Sequence, residues 1–237
     1  MKTQMTKEPT DSKAETAHRF NGDRKNLDHF LLSIEKKIIA ALLPRVPLWL
    51  GTVELTLMTL LWSAGVIVFG YLAAQDIRWL WAFSACILLQ HITDMLDGAV
   101  GRMRNTGLIK WGFYADHFLD YVFMSSIVIG YSFLLPEHYH LLVLLCLSFC
   151  GGLMVHTFLD FGITNDYKIS YFRIGISELR CFVVAFNIAG IFLGKNMLVG
   201  TFPFVVAGLF LSLGVIVYRS QISYRVMDQT NRLLTNR

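Results

Sequence analysis

The sequence predicts an all-α integral membrane protein, with six transmembrane helices preceded by an interfacial amphipathic helix. Three observations carry that reading. Hydrophobic residues make up 54% of the 237-residue chain and charged ones only 16%, where a soluble domain usually carries about 25% charge. The apolar residues gather in six blocks, and each approaches the ~20 residues that a bilayer-spanning helix needs. Trp49, Trp79, Trp81, Trp111 and Tyr218 fall at block ends, where an aromatic belt meets the headgroups. Such a chain is not an ordinary soluble globule, a disordered polypeptide or a nucleic-acid binder.

Residues 1–26 are polar, mix Lys2, Lys7, Lys13, Arg24 and Lys25 with acids, and read as a solvated tail. No apolar stretch with a small-residue cleavage site follows the first basic residues, so no signal peptide is expected. Over 27–45, Leu31, Ile34, Ile38 and Leu42 recur at helical spacing opposite Glu35, Lys36 and Lys37. That pattern predicts a helix lying along the membrane surface. The spans of a 46–219 catalytic domain follow at about Leu50–Ala74, Trp79–Leu96, Gly112–Leu135, Leu141–Ile163, Ile174–Leu193 and Gly200–Tyr218, and 220–237 form a polar C-terminal tail. With a cytosolic N-terminus, one side of the membrane carries Arg102, Arg104, Lys110, Lys168, Arg173, Arg219 and Arg225, and the other only Arg78 and Lys195. The positive-inside rule then places both termini in the cytosol, as in a multi-pass protein of a bacterial inner membrane or its equivalent. Cys86, Cys146, Cys150 and Cys181 all lie in apolar blocks and read as packing residues.

A carboxylate inside a span is costly, so an intramembrane acid is a functional hypothesis by default. Asp94 and Asp97 are three apart, and Asp116 and Asp120 four apart. Each pair shares a helix face. A loop of roughly ten residues joins the two helices, which makes them antiparallel neighbours. Four carboxylates therefore converge near the cytosolic end of the bundle, where they require positive charge. Among nearby basic residues only Arg102, Arg104 and Lys110 are candidates. An all-oxygen donor set suits Mg²⁺, Mn²⁺ or Ca²⁺ better. Gly98, Gly101 and Gly112, interleaved with the acids, leave room for a bulky anionic ligand whose phosphates Arg102 would face.

Residues 94–120 read DMLDGAVGRMRNTGLIKWGFYADHFLD. This stretch resembles the signature of the CDP-alcohol phosphotransferase (CDP-alcohol phosphatidyltransferase) family, D-x-x-D-G-x-x-A-R, eight residues, then G-x-x-x-D-x-x-x-D. It covers 27 residues and matches four acids, two glycines and an arginine. Gly101 replaces the alanine. Nine residues separate Arg102 from Gly112, and Asn105-Thr106-Gly107 offers a loop that can absorb the extra one. The family fold has six membrane helices and is usually dimeric, in agreement with the six blocks.

The resemblance implies transfer of a substituted phosphate from a CDP-linked donor, such as CDP-diacylglycerol or a CDP-aminoalcohol, to an alcohol with release of CMP in phospholipid biosynthesis. It also implies a homodimer, membrane lipids as substrates or surroundings, and two Mg²⁺ or Mn²⁺ ions. Asp94, Asp97 and Asp116 would hold metal, and Asp120 would be the general base while also touching a metal. Gly98, Gly101, Gly112 and Arg102 would accommodate the nucleotide and its phosphates. General principles ask for the same parts, because metal neutralises a diphosphate and a positioned base activates an alcohol. The residues alone leave open which acid is the base, and Asp120 rests on the resemblance.

Outside the signature, Thr56 is retained from a P-N-x-x-T stretch of relatives and would contact nucleotide, while Val53 replaces the asparagine. Glu54 reads equally as an interfacial or a pocket residue. Lys110, His117, Lys168, Arg173, Glu178 and Arg180 are candidates for an acceptor or lipid pocket. For Glu178 and Arg180, as for His156 and Asp160, an interhelical ion pair is the structural alternative. His91, three before Asp94, reads equally as a support for it from behind and as a cavity-lining residue. A catalytically inactive, lipid- or nucleotide-binding relative and an ion-coupled transporter remain the competing functional classes.

Overall fold

The computed structural model describes residues 31–164 and 175–235. Every regular element among them is helical: α1 (Leu32–Leu42), α2 (Thr52–Ala73), α3 (Leu80–Met103), α4 (Ile109–Ser132), α5 (His140–Thr164), α6 (Ile176–Leu193) and α7 (Lys195–Thr235), with single 3₁₀ turns before α2, α3 and α5. The N-terminal tail and the first residues of the predicted surface helix lie outside the described part, as do Lys168 and Arg173.

Four helical stretches are long and apolar enough to cross a membrane: Thr52–Ala73, Glu137–Thr164, Ile176–Leu193 and Lys195–Leu234. They correspond to the first, fourth, fifth and sixth predicted blocks. The second and third blocks form α3 and α4, of 24 residues each, about 36 Å long at 1.5 Å per residue. Length is therefore not what distinguishes them. Asp94, Asp97 and Arg102 on α3, and Lys110, Asp116 and Asp120 on α4, lower their apolar character. The chain is a membrane protein by its four apolar helices, and the charged pair α3–α4 carries its polar chemistry.

Two features add to the sequence expectations. Over 220–235, α7 runs unbroken from the last apolar block into the polar C-terminal segment. On α1 the lysines and Ile34 face outward, but Glu35 does not join them. Its side chain is only 13% exposed and meets His91 of α3. Leu42 and Leu43 pack on the buried trio Leu55, Leu96 and Val100, so the end of α1 is seated on α2 and α3.

The core is built around α2, which packs on both α3 and α4, while α6 closes against α3 and α7 against α5. Val66, Phe83, Ile87, Phe123, Leu134 and Leu198 form its centre. Small residues set the closest approach. A Cβ on Gly70 would lie 2.6 Å from Gly130 backbone atoms, and one on Gly130 would lie 2.6 Å from the Phe83 ring. Only glycine lets α2 and α4 cross at that distance. Phe192, Leu193, Phe204 and Leu141 are each at least two-thirds exposed, as lipid-facing residues would be.

Candidate metal-binding active site

The α3–α4 connection is a tight turn in which Asn105 and Gly107 both have positive φ, 49° and 70°. Glycine and asparagine tolerate that left-handed conformation best. The extra residue between Arg102 and Gly112 is thus taken up in the turn, and the acid pairs keep their helical spacing. Arg104 straps the preceding segment in place: its Nη1 and Nη2 donate to the carbonyls of Leu48, Leu50, Val46 and Pro47 at 2.9–3.3 Å.

Asp94 of α3 and Asp116 and Asp120 of α4 converge. One carboxylate oxygen from each lies within 4.8 Å of the other two, and all three residues are half-buried. In an octahedral Mg²⁺ shell with ligands at 2.0–2.1 Å, adjacent donors stand about 2.9 Å apart and opposite ones about 4.2 Å, so the trio would draw inward to share a single cation. The donor set is all oxygen, with no thiolate in it, and fits a hard divalent ion.

Asp97 is not among the three acids whose oxygens meet within 4.8 Å. It is buried, its Oδ2 lies 2.8 Å from the Thr56 hydroxyl, and its backbone carbonyl accepts from Thr52. Thr56 therefore meets the acid cluster through Asp97 and anchors the start of α2 to α3. Glu54 reaches back to the Gly51 N–H at 2.9 Å and caps α2.

The glycines divide in role. A Cβ on Gly101 would come within 2.9 Å of Thr52 Oγ1, so this residue serves helix packing. Gly112 has nothing within 4 Å of that position, and Gly98 has only the Arg102 guanidinium, at 3.3 Å. These two leave open space. Arg102 and Lys110 are exposed at the facing ends of α3 and α4.

The positive charge among the acids comes from a distant part of the sequence. Arg180 of α6, buried, donates from Nη1 to Asp94 Oδ2 and from Nη2 to Asp120 Oδ1, both at 2.9 Å. Its Nη1 also lies 2.8 Å from His91 Nδ1. Sequence reading sought the counter-charge within the signature, whereas the fold brings it from a residue 60 positions beyond Asp120. The available signal was an arginine inside an apolar run, which needs buried partners.

Glu178, two residues earlier, does not join the cluster. Its two oxygens accept from the Gly175 and Leu31 N–H groups at 2.9 and 3.0 Å, capping α6 and pinning the start of α1. His117 is buried against Phe113 and Phe158 and donates from Nδ1 to the Phe113 carbonyl at 2.7 Å, with Asp116 Oδ2 at 3.6 Å. His156 and Asp160 line a different cavity of about 380 Å³ between α5 and α7, beside Ser220 and Tyr224.

A family model for CDP-alcohol phosphatidyltransferases matches residues 54–219, 166 of the 237, including all four aspartates and Arg180. The chain belongs to the CDP-alcohol phosphatidyltransferase family. No curated protein and no solved structure matches the chain significantly. Membership assigns it to a class of transferases of phospholipid synthesis, and the acid trio lies inside the matched region. Glu35, α1 and most of the polar half of α7 lie outside the part that this chain shares with its family.

Proposed function

We propose that this protein transfers a substituted phosphate from a CDP-linked donor to an alcohol, releasing CMP, at a divalent-metal site near the cytosolic face of a six-span bundle. The convergence of Asp94, Asp116 and Asp120 within 4.8 Å, inside the family-matched region, carries this reading. In this reading α3 and α4 cross as well. Both are long enough, and their acids sit toward the ends joined by the α3–α4 turn.

Asp94, Asp116 and Asp120, with Asp97 beside them, would hold Mg²⁺ or Mn²⁺. When bound, the metal neutralises and orients the diphosphate of the donor. Gly98 and Gly112 leave space for the nucleotide, and Arg102 meets its phosphates from the exposed end of α3. Arg180 fixes Asp120 by one oxygen, Oδ1. We assign Asp120 as the base that takes the acceptor hydroxyl proton, so that the alkoxide oxygen attacks the phosphorus joined to the donor's alcohol and CMP leaves. A carboxylate fully engaged by cations is a poor base, and the contact from Arg180 to Oδ1 orients Asp120.

The test is CMP release by purified protein given a panel of CDP-diacylglycerol and CDP-aminoalcohol donors with alcohol acceptors and Mg²⁺ or Mn²⁺. Folded protein that stays silent across that panel would contradict the assignment.

A further inference from the structure

Arg180 is held from two sides. Toward the acids it binds Asp94 and Asp120; toward α1 it meets His91, whose Nε2 lies 3.5 Å from Glu35 Oε1. Each guanidinium Nη carries two hydrogens. On Nη1 one goes to Asp94 and the other to His91, so His91 Nδ1 must present its lone pair. The imidazole proton then sits on Nε2, facing the buried Glu35 Oε1 at 3.5 Å, where the negative charge of the carboxylate favours that tautomer. Glu35 is itself placed by both ends of α1: the Leu31 N–H is bound by Glu178, and Leu42 packs on the Leu55–Leu96–Val100 cluster.

We infer that Glu35 and His91 are positioning residues for Arg180, which makes α1 part of the active site although it lies outside the family-matched region. This inference rests on the metal-dependent reading above. By accepting one Nη1 hydrogen, His91 keeps the guanidinium from turning both of them onto carboxylate oxygens that a cation needs. Glu35 maintains the tautomer that lets His91 do so. Without them Arg180 competes harder for Asp94 and Asp120, and divalent-cation affinity falls.

The test is Mn²⁺ binding followed by electron paramagnetic resonance in the absence of substrate, with CMP release and thermal unfolding measured on the same preparations. His91→Leu, which removes the acceptor without changing formal charge, weakens Mn²⁺ binding about tenfold. His91→Gln, whose carbonyl oxygen can accept from Nη1, recovers affinity to within about threefold of wild type. Glu35→Gln, on the rim of the bundle, weakens it about threefold and serves should His91→Leu fail to fold. In an Arg180→Gln background the same changes at His91 and Glu35 shift affinity by less than twofold, a loss of coupling that a general loosening of α1 would not produce. Wild-type affinity in folded His91→Leu or Glu35→Gln, or shifts that persist undiminished without Arg180, overturn the inference while leaving the transferase reading intact. Wild-type protein that neither binds Mn²⁺ nor releases CMP overturns both.

Discussion

Arg180 and Asp120 are joined by a 2.9 Å hydrogen bond across 60 residues of chain, and the same guanidinium reaches Asp94 at 2.9 Å. Three helices are therefore fastened at one buried charged point. Breaking a buried pair by removing one partner costs about 3–5 kcal/mol, because the remaining charge loses its compensation. We predict that Arg180→Gln lowers the melting temperature of chelator-treated protein, and that Mn²⁺ raises it by more than in wild type. Arg180→Lys restores charge but not the two-pronged geometry, and should leave turnover at least tenfold down. Thermal unfolding with and without Mn²⁺ checks the first expectation, and CMP release the second.

Asp120→Asn keeps the shape of the side chain and removes its ability to take a proton. Turnover is expected to vanish while donor binding stays within about fivefold, measured by protection of the protein or by titration with a CDP-linked lipid. Normal turnover in this variant would move the base to another acid.

The glycines give a paired prediction from geometry. Gly70→Ala would place a Cβ 2.6 Å from the Gly130 backbone, whereas Gly112→Ala meets nothing within 4 Å. Overpacking a close contact costs about 1–3 kcal/mol. Unfolding in detergent should therefore show a clear loss for Gly70→Ala and almost none for Gly112→Ala. Any defect of the second variant should appear in donor KM instead.

Arg104→Ala releases four backbone carbonyls of residues 46–50 from one side chain. Leu48 and Trp49 are already 92% and 76% exposed, so this segment depends on that strap. Chymotryptic cleavage after Trp49 should accelerate severalfold in the variant, with the rest of the digestion pattern unchanged. Equal cleavage rates would mean that the segment is held by other contacts.

The local features were readable from the sequence because their causes are local. Helix-spaced acids predicted the face shared by Asp116 and Asp120, and the Asn105-Thr106-Gly107 run predicted where a left-handed turn would fit. Residues that act across the fold were harder to read. Nothing near the signature announces that Arg180 supplies its counter-charge, because that pairing depends on how α6 leans on α3 and α4. Glu35 looked like a solvent-facing acid among lysines, and only the docking of α1 onto α3 turns it inward. Glu178 read as a pocket residue, but backbone N–H groups at two helix starts claim both of its oxygens. Asp97 shares a face with Asp94 by spacing, and the Thr56 hydroxyl that meets its carboxylate comes from α2, a pairing that spacing does not show.

We propose Asp94, Asp116 and Asp120 as a metal site for phosphotransfer from a CDP-linked donor. The most direct test is CMP release as Mn²⁺ is titrated into chelator-treated wild-type protein and into Asp116→Asn. No release is expected without metal, with saturable recovery in wild type and a recovery in Asp116→Asn at least a hundredfold weaker at equal Mn²⁺. Metal-independent release, or an Asp116→Asn titration that overlays the wild type, would contradict it.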